Sequence, residues 1–183
     1  MVILTDVSGS MDRYARFVIP FLLGLKGIGS RAEAFVFSTS LTHITNIIHR
    51  FPISTSLERI AQVVPDWSGG TRIGFSLRQF IEGYGRELLH NRAVVVIMSD
   101  GWDLGGRELL KRSMEKIHRK AFNVIWLNPL AGDARPGGAD DGSPPLSKGM
   151  QAALPYVDHF LAVNSLQSLK RIGHVLSTVM ANN

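Results

Sequence analysis

Small oxygen-bearing side chains recur at three points of the sequence: Asp6-Val7-Ser8-Gly9-Ser10, Gly69-Gly70-Thr71 and Ser99-Asp100-Gly101. These are the residue types a hard divalent cation wants. Mg²⁺ takes oxygen ligands in an octahedron at about 2.0–2.1 Å and keeps several waters. Ser8, Ser10 and Thr71 offer short neutral ligands, while Asp6 and Asp100 can bind directly or hold the metal's waters. Gly9, Gly69, Gly70 and Gly101 permit the tight turns that bring backbone close to an ion. With the carboxylates acting mostly through water, the ion stays electrophilic and keeps one open position. A carboxylate from a partner would fill it. Mg²⁺ is the expected ion, with Mn²⁺ or Ca²⁺ as alternatives. An ordinary helix cap would need one such residue, not three at alternate positions.

The elements that must position these loops follow from the apolar pattern. Strands are expected at Val2–Thr5, Ala32–Phe37, Ala93–Met98, Val124–Leu127 and Val157–Val163, with Leu41–Ile44 as a hairpin partner. Helices are expected from Met11 to about Lys26, ending at Gly27 and Gly29, and around Leu57–Val64, closed by Pro65. Further helices are expected over Arg72–His90, Glu108–Ala121 and Leu166–Met180. Ala93–Met98 is apolar on both faces, as a central parallel strand should be. The alternation gives a doubly wound α/β fold: a mainly parallel central sheet, helices on both faces and one antiparallel edge strand. Ligands gather at the carboxyl ends of such strands. If Val2–Thr5 and Ala93–Met98 lie side by side, all three loops meet at one edge of the sheet.

This spacing resembles the metal-ion-dependent adhesion site (MIDAS) of von Willebrand factor A (VWA) domains. That pattern is Asp-x-Ser-x-Ser, a distant Thr and an Asp after the central strand, met here in order at Asp6, Ser8, Ser10, Thr71 and Asp100. The flanking text, Asp6 to Met11, Trp67 to Gly74 and Ser99 to Asp103, is similar to the bacterial CoxE-like branch. The resemblance implies a Rossmann-like VWA fold and a protein-interaction module that binds an acidic residue of a partner. It further implies a cytoplasmic adaptor to a MoxR-type AAA+ ATPase, acting in maturation of, or metal insertion into, a client metalloenzyme. Family members carry sequence before the A domain, so residues 1–183 are expected to be a single VWA domain from the C-terminal part of a longer protein.

Neighbouring residues have two readings each. Asp103 either orients a metal-bound water or caps the helix near Arg107. Trp102 and Trp67 flank the loops, as partner contacts or as packing over them. Residues 130–149 are rich in Gly, Pro and Asp, too long for a mere connector, and should rise on the metal side, either as a disordered insertion or as a partner-binding or lid segment. Asp133, Asp140 and Asp141 lie in that segment.

Other chemistry is excluded by what the 183 residues lack. There is no cysteine, hence no disulfide, thiolate zinc site, iron–sulfur cluster or cysteine nucleophile. The six histidines form no HxH or HExxH pair, no GxxxxGK[ST] is present, and Ser8 is not in GxSxG. No catalytic residue is assigned, and a Mg²⁺-dependent hydrolase ranks last because no general base is identifiable. The strongly apolar stretch Phe17–Leu25 contains Pro20 and Gly24 and is far short of the ~20 residues of a membrane span. Much of the net charge of +5 lies between Arg107 and Lys120, where six cations face Glu108 and Glu115. A solvated helix face is the default reading of that charge, and an acidic partner, protein or nucleic acid, is the alternative. Without interleaved aromatics, base stacking is disfavoured and nucleic acid is the less favoured partner, although an RNA-binding VWA module of Ro type is the rival from another class.

Overall fold

The computed structural model describes residues 1–24, 32–64, 69–131 and 146–183. Six strands form one sheet in the order β3-β2-β1-β4-β5-β6. They are β1 (Val2–Asp6), β2 (Glu33–Phe37), β3 (Leu41–His43), β4 (Val94–Met98), β5 (Asn123–Asn128) and β6 (His159–Ala162). All neighbours are parallel except β2 and β3, which pair antiparallel as a hairpin at the edge. The α-helices among the described residues are α1 (Asp12–Gly24), α2 (Thr45–Arg50), α3 (Ile53–Val63), α4 (Ile73–Gly83), α5 (Gly85–Leu88), α6 (Arg107–Lys120), α7 (Lys148–Ala153) and α8 (Leu166–Ala181).

The β-branched run of β4 is buried along its whole length, and β1 likewise. Alternation along each strand then builds two cores. Ile3, Ala34, Val36, Val94, Val96, Ile125 and Leu127 face one side, with Val18 of α1, Ile60 of α3 and Ile172 and Leu176 of α8. Leu4, Phe35, Phe37, Val95, Ile97, Val124 and Trp126 face the other, with Leu77 and Phe80 of α4 and Leu110, Met114 and Ile117 of α6. Each side chain removed from water contributes about 1.5–3 kcal/mol. The doubly wound fold with one antiparallel edge strand is the architecture expected from the sequence.

Three local differences have physical causes. The helix expected over Arg72–His90 breaks at Tyr84, whose φ of −127° and ψ of −13° leave the helical region and separate α4 from α5. Residues 45–50, too few to show a helical repeat, form α2. Residues 148 and 149, expected to belong to the 130–149 loop, open α7, where Ser147 caps the helix by accepting the Met150 amide. The predicted helix end at Gly27 and Gly29, the stop at Pro65, and Asp133, Asp140 and Asp141 lie outside the described residues.

The site depends on one feature of this topology. β1 and β4 are parallel neighbours, with Thr5 beside Met98. From β1 the chain moves outward to β2, and from β4 it moves the other way to β5. This is the switch point at which α/β sheets open a crevice.

Candidate metal centre

Asp6 ends β1 and is wholly buried. Its Oδ1 accepts the Ser8 amide at 2.9 Å, closing a tight turn, and its Oδ2 accepts the Ser99 hydroxyl at 2.7 Å. The second bond ties the end of β1 to the residue that follows β4. Asp100, the next residue, repeats the arrangement outward: Oδ1 accepts the Trp102 amide at 2.9 Å and Oδ2 accepts the Ser10 hydroxyl at 2.8 Å. Backbone bonds join the Gly69–Thr71 loop to both. The Gly9 amide donates to the Gly69 carbonyl at 3.2 Å, and the Leu104 amide to the Thr71 carbonyl at 2.9 Å. The three sequence segments therefore converge at the carboxyl edge of β1 and β4, with Asp6, Ser8 and Thr71 buried and Ser10 exposed.

The electrostatics of this cluster are unbalanced. Burial pushes the Asp6 carboxyl up to about 6, and the Asp100 charge adds to the shift, while hydrogen bonds from Ser8 and Ser99 pull against it. Ser8 is 2 % exposed, and its hydroxyl, beside the Asp6 carboxyl, makes no hydrogen bond of good geometry. A buried hydroxyl without a partner costs roughly 1–3 kcal/mol. An acid reluctant to ionise and a poorly partnered hydroxyl in one buried turn are a donor set that a hard cation would suit. Such an ion would restore the carboxylate charge and give the hydroxyl oxygen something to ligate. Among the described residues no three His, Asp or Glu side chains gather as a metal cluster. The donor set is thus dominated by hydroxyls and suits a hard ion.

Asp103 does not cap the helix near Arg107. Its Oδ1 accepts the Gly105 amide at 2.9 Å, and its carboxyl faces the amides of Ile73 and Gly74 in the first turn of α4. Burial raises its pKa, and these amides and Arg72 oppose the shift. It therefore braces α4, not the helix at Arg107, whose N-cap is Gly106 at a φ of +97°. Trp102 is 66 % exposed and Leu104 67 % exposed, on either side of Asp103. Leu104 lies over Gly70, where a Cβ would stand 2.9 Å from its Cδ1. Trp67 lies outside the described residues.

Ser99 was not singled out by its sequence. It is buried, donates to Asp6 and accepts the Gly101 amide at 3.1 Å. Its carbonyl takes the Trp126 indole N–H at 2.8 Å. The available signal was its position between an all-apolar strand and Asp100.

The family described as VWA domain containing CoxE-like protein matches residues 1–169. Solved structures share the fold. BatB from Bacteroides thetaiotaomicron is 20 % identical, with a TM-score of 0.61 over all of this chain and 98 % of that one. The pilus adhesin SpaC from Lactobacillus rhamnosus GG is 15 % identical, with a TM-score of 0.59 over 99 % of this chain and 30 % of that one. Proximal thread matrix protein 1 from the mussel byssus, with zinc in its MIDAS motif, is 18 % identical, with a TM-score of 0.51 over 98 % of this chain and 46 % of that one. No curated protein matches the sequence. With the family match spanning all six strands and the three converging loops, the chain belongs to the CoxE-like VWA family.

Proposed function

We propose that the chain is a metal-dependent protein-interaction module. Ser8, Ser10 and Thr71 ligate Mg²⁺, Asp6 and Asp100 complete the site directly or through waters, and a partner's carboxylate takes the open position. The observation that carries this reading is the poorly hydrogen-bonded Ser8 hydroxyl beside the fully buried Asp6 carboxyl. The zinc-occupied MIDAS of the mussel protein supports a divalent ion on this fold. Exposed Trp102 and Leu104 at the same edge give a partner apolar surface around the ion.

Membership of the CoxE-like family supports the finer reading: an adaptor, not an enzyme, that works in the cytoplasm with a MoxR-type AAA+ ATPase on a client metalloenzyme. Among the described residues no helix is long and apolar enough to cross a membrane. The test is capture of the ATPase or its client by the purified chain. Capture should need Mg²⁺ or Mn²⁺, vanish with Asp6→Ala, and leave the circular dichroism spectrum unchanged. Undiminished capture in excess chelator would overturn the reading.

One observation favours a second reading. Arg107, Lys111, Arg112, Lys116, Arg119 and Lys120 are all exposed on α6, and among the described residues none is in an ion pair. An RNA-binding role would use this face, with affinity falling steeply as salt rises and indifferent to Asp6→Ala.

A further inference from the structure

Two consecutive carbonyl groups of the third loop are gripped from outside it. Asn128, the buried last residue of β5, donates from Nδ2 to the Asp100 carbonyl at 3.4 Å. Its Oδ1 meanwhile accepts the amides of Leu130 and Ala131 at 2.9 and 3.0 Å. Ser147 donates its hydroxyl to the Gly101 carbonyl at 2.6 Å and accepts the Met150 amide at 3.1 Å. One side chain thus caps α7 and holds the loop.

The fit is close on both sides. Gly101 sits at a φ of +78°, and a Cβ there would stand 2.8 Å from the Met150 Cβ and 2.9 Å from the Ser147 Oγ. A Cβ at Gly149 would overlap the Gly101 carbonyl oxygen. Glycine at both positions lets the first turn of α7 lie directly against the loop.

We infer that Asn128 and Ser147 are positioning residues for Asp100, and that through Ser147 the placement of α7 and the occupancy of the cation site are coupled. The inference rests on the metal-binding reading above. Holding the Asp100 carbonyl fixes the peptide plane beside the Asp100 Cα, and holding the Gly101 carbonyl fixes the next plane, which carries the Trp102 amide. Only then does Oδ2 meet the Ser10 hydroxyl while Oδ1 is held by the Trp102 amide. Outer partners that orient a ligand are commonly worth 10–100-fold in metal affinity. Coupling of this kind is reciprocal: if α7 seats the loop for the ion, the ion must seat the loop for α7.

The test is Mn²⁺ titration calorimetry on the whole chain and three variants. Ser147→Ala should weaken Mn²⁺ about 10-fold, and Ser147→Thr, which keeps the hydroxyl, should restore most of it. Thr178→Ala removes a hydroxyl of α8 that lies beside Asn123 and His159, the first residues of β5 and β6 at the opposite edge of the sheet, and should leave affinity unchanged. Mn²⁺ should also slow hydrogen exchange of the α7 amides in the unmodified chain while leaving α5 unaffected. Equal affinities for Ser147→Ala and the unmodified chain, or equal losses in Ser147→Ala and Thr178→Ala, would overturn the inference and leave the metal reading intact. Failure of the unmodified chain to bind Mn²⁺ would overturn both.

Discussion

Asp6 is the residue on which the site's pH behaviour turns. Its carboxyl titrates near 6 in the folded chain, above the 3.8 of a free carboxyl, so the fold binds this proton more tightly than the unfolded chain does. Without a cation, stability is therefore greatest below pH 4 for this group and is lost as pH rises through about 6, by roughly 2–3 kcal/mol at most. Asp6→Asn should raise the metal-free melting temperature at pH 7.5 and make it insensitive to Mg²⁺. For the unmodified chain, Mg²⁺ should raise the melting temperature strongly at pH 7.5 and little at pH 5, because the proton and the ion compete. A scanning calorimetry series across pH checks both. The five candidate ligands were legible because their side chains carry the chemistry and stand at fixed points before helices and after strands. Ser99 was not, since its role comes from a bond to Asp6 across 93 residues, which no local spacing encodes.

At the scale of elements, the packing of α4 on α6 carries the next prediction. Gly74, in the first turn of α4, leaves no room for a side chain: a Cβ would stand 2.5 Å from the Leu110 amide nitrogen and 2.8 Å from the Leu110 Cα. The Ser113 hydroxyl donates to the Gly74 carbonyl at 3.1 Å across the same contact. Gly74→Ala should cost about 2 kcal/mol, because backbone must move to admit it. Gly83→Ala, at the other end of the helix with nothing within 4 Å of its Cβ, should stabilise by up to about 1 kcal/mol. Urea midpoints of the two variants should move in opposite directions. The long elements were legible from apolar repeat alone. The Tyr84 break was not, because Leu77, Phe80 and Ile81 keep the helical spacing up to it and the residues beyond reveal the change only in backbone angles. Nor was α7, whose six residues are held by Ser147 and by contact with the Gly101 loop.

Across the whole molecule, charge and binding edge are separate features. The six cations of α6 lie on a helix that reaches the third loop only at its first turn, after Gly106. Charge reversal at Arg112 and Lys116 should slow association with an acidic partner about tenfold at low salt while leaving its dependence on Mg²⁺ unchanged. Stopped-flow binding at two ionic strengths, with and without chelator, separates these effects. The different exposures of the two described tryptophans have an optical consequence. Trp126 is fully buried with its indole N–H on the Ser99 carbonyl, whereas Trp102 stands two residues beyond Asp100 in solvent. In a Trp67→Phe background, acrylamide should quench the red-edge emission of Trp102 and spare the blue component from Trp126. Docking of a partner at the edge should shield only the first, so the protein carries a built-in pair of fluorescent reporters, one for occupancy and one for the integrity of the core beneath it.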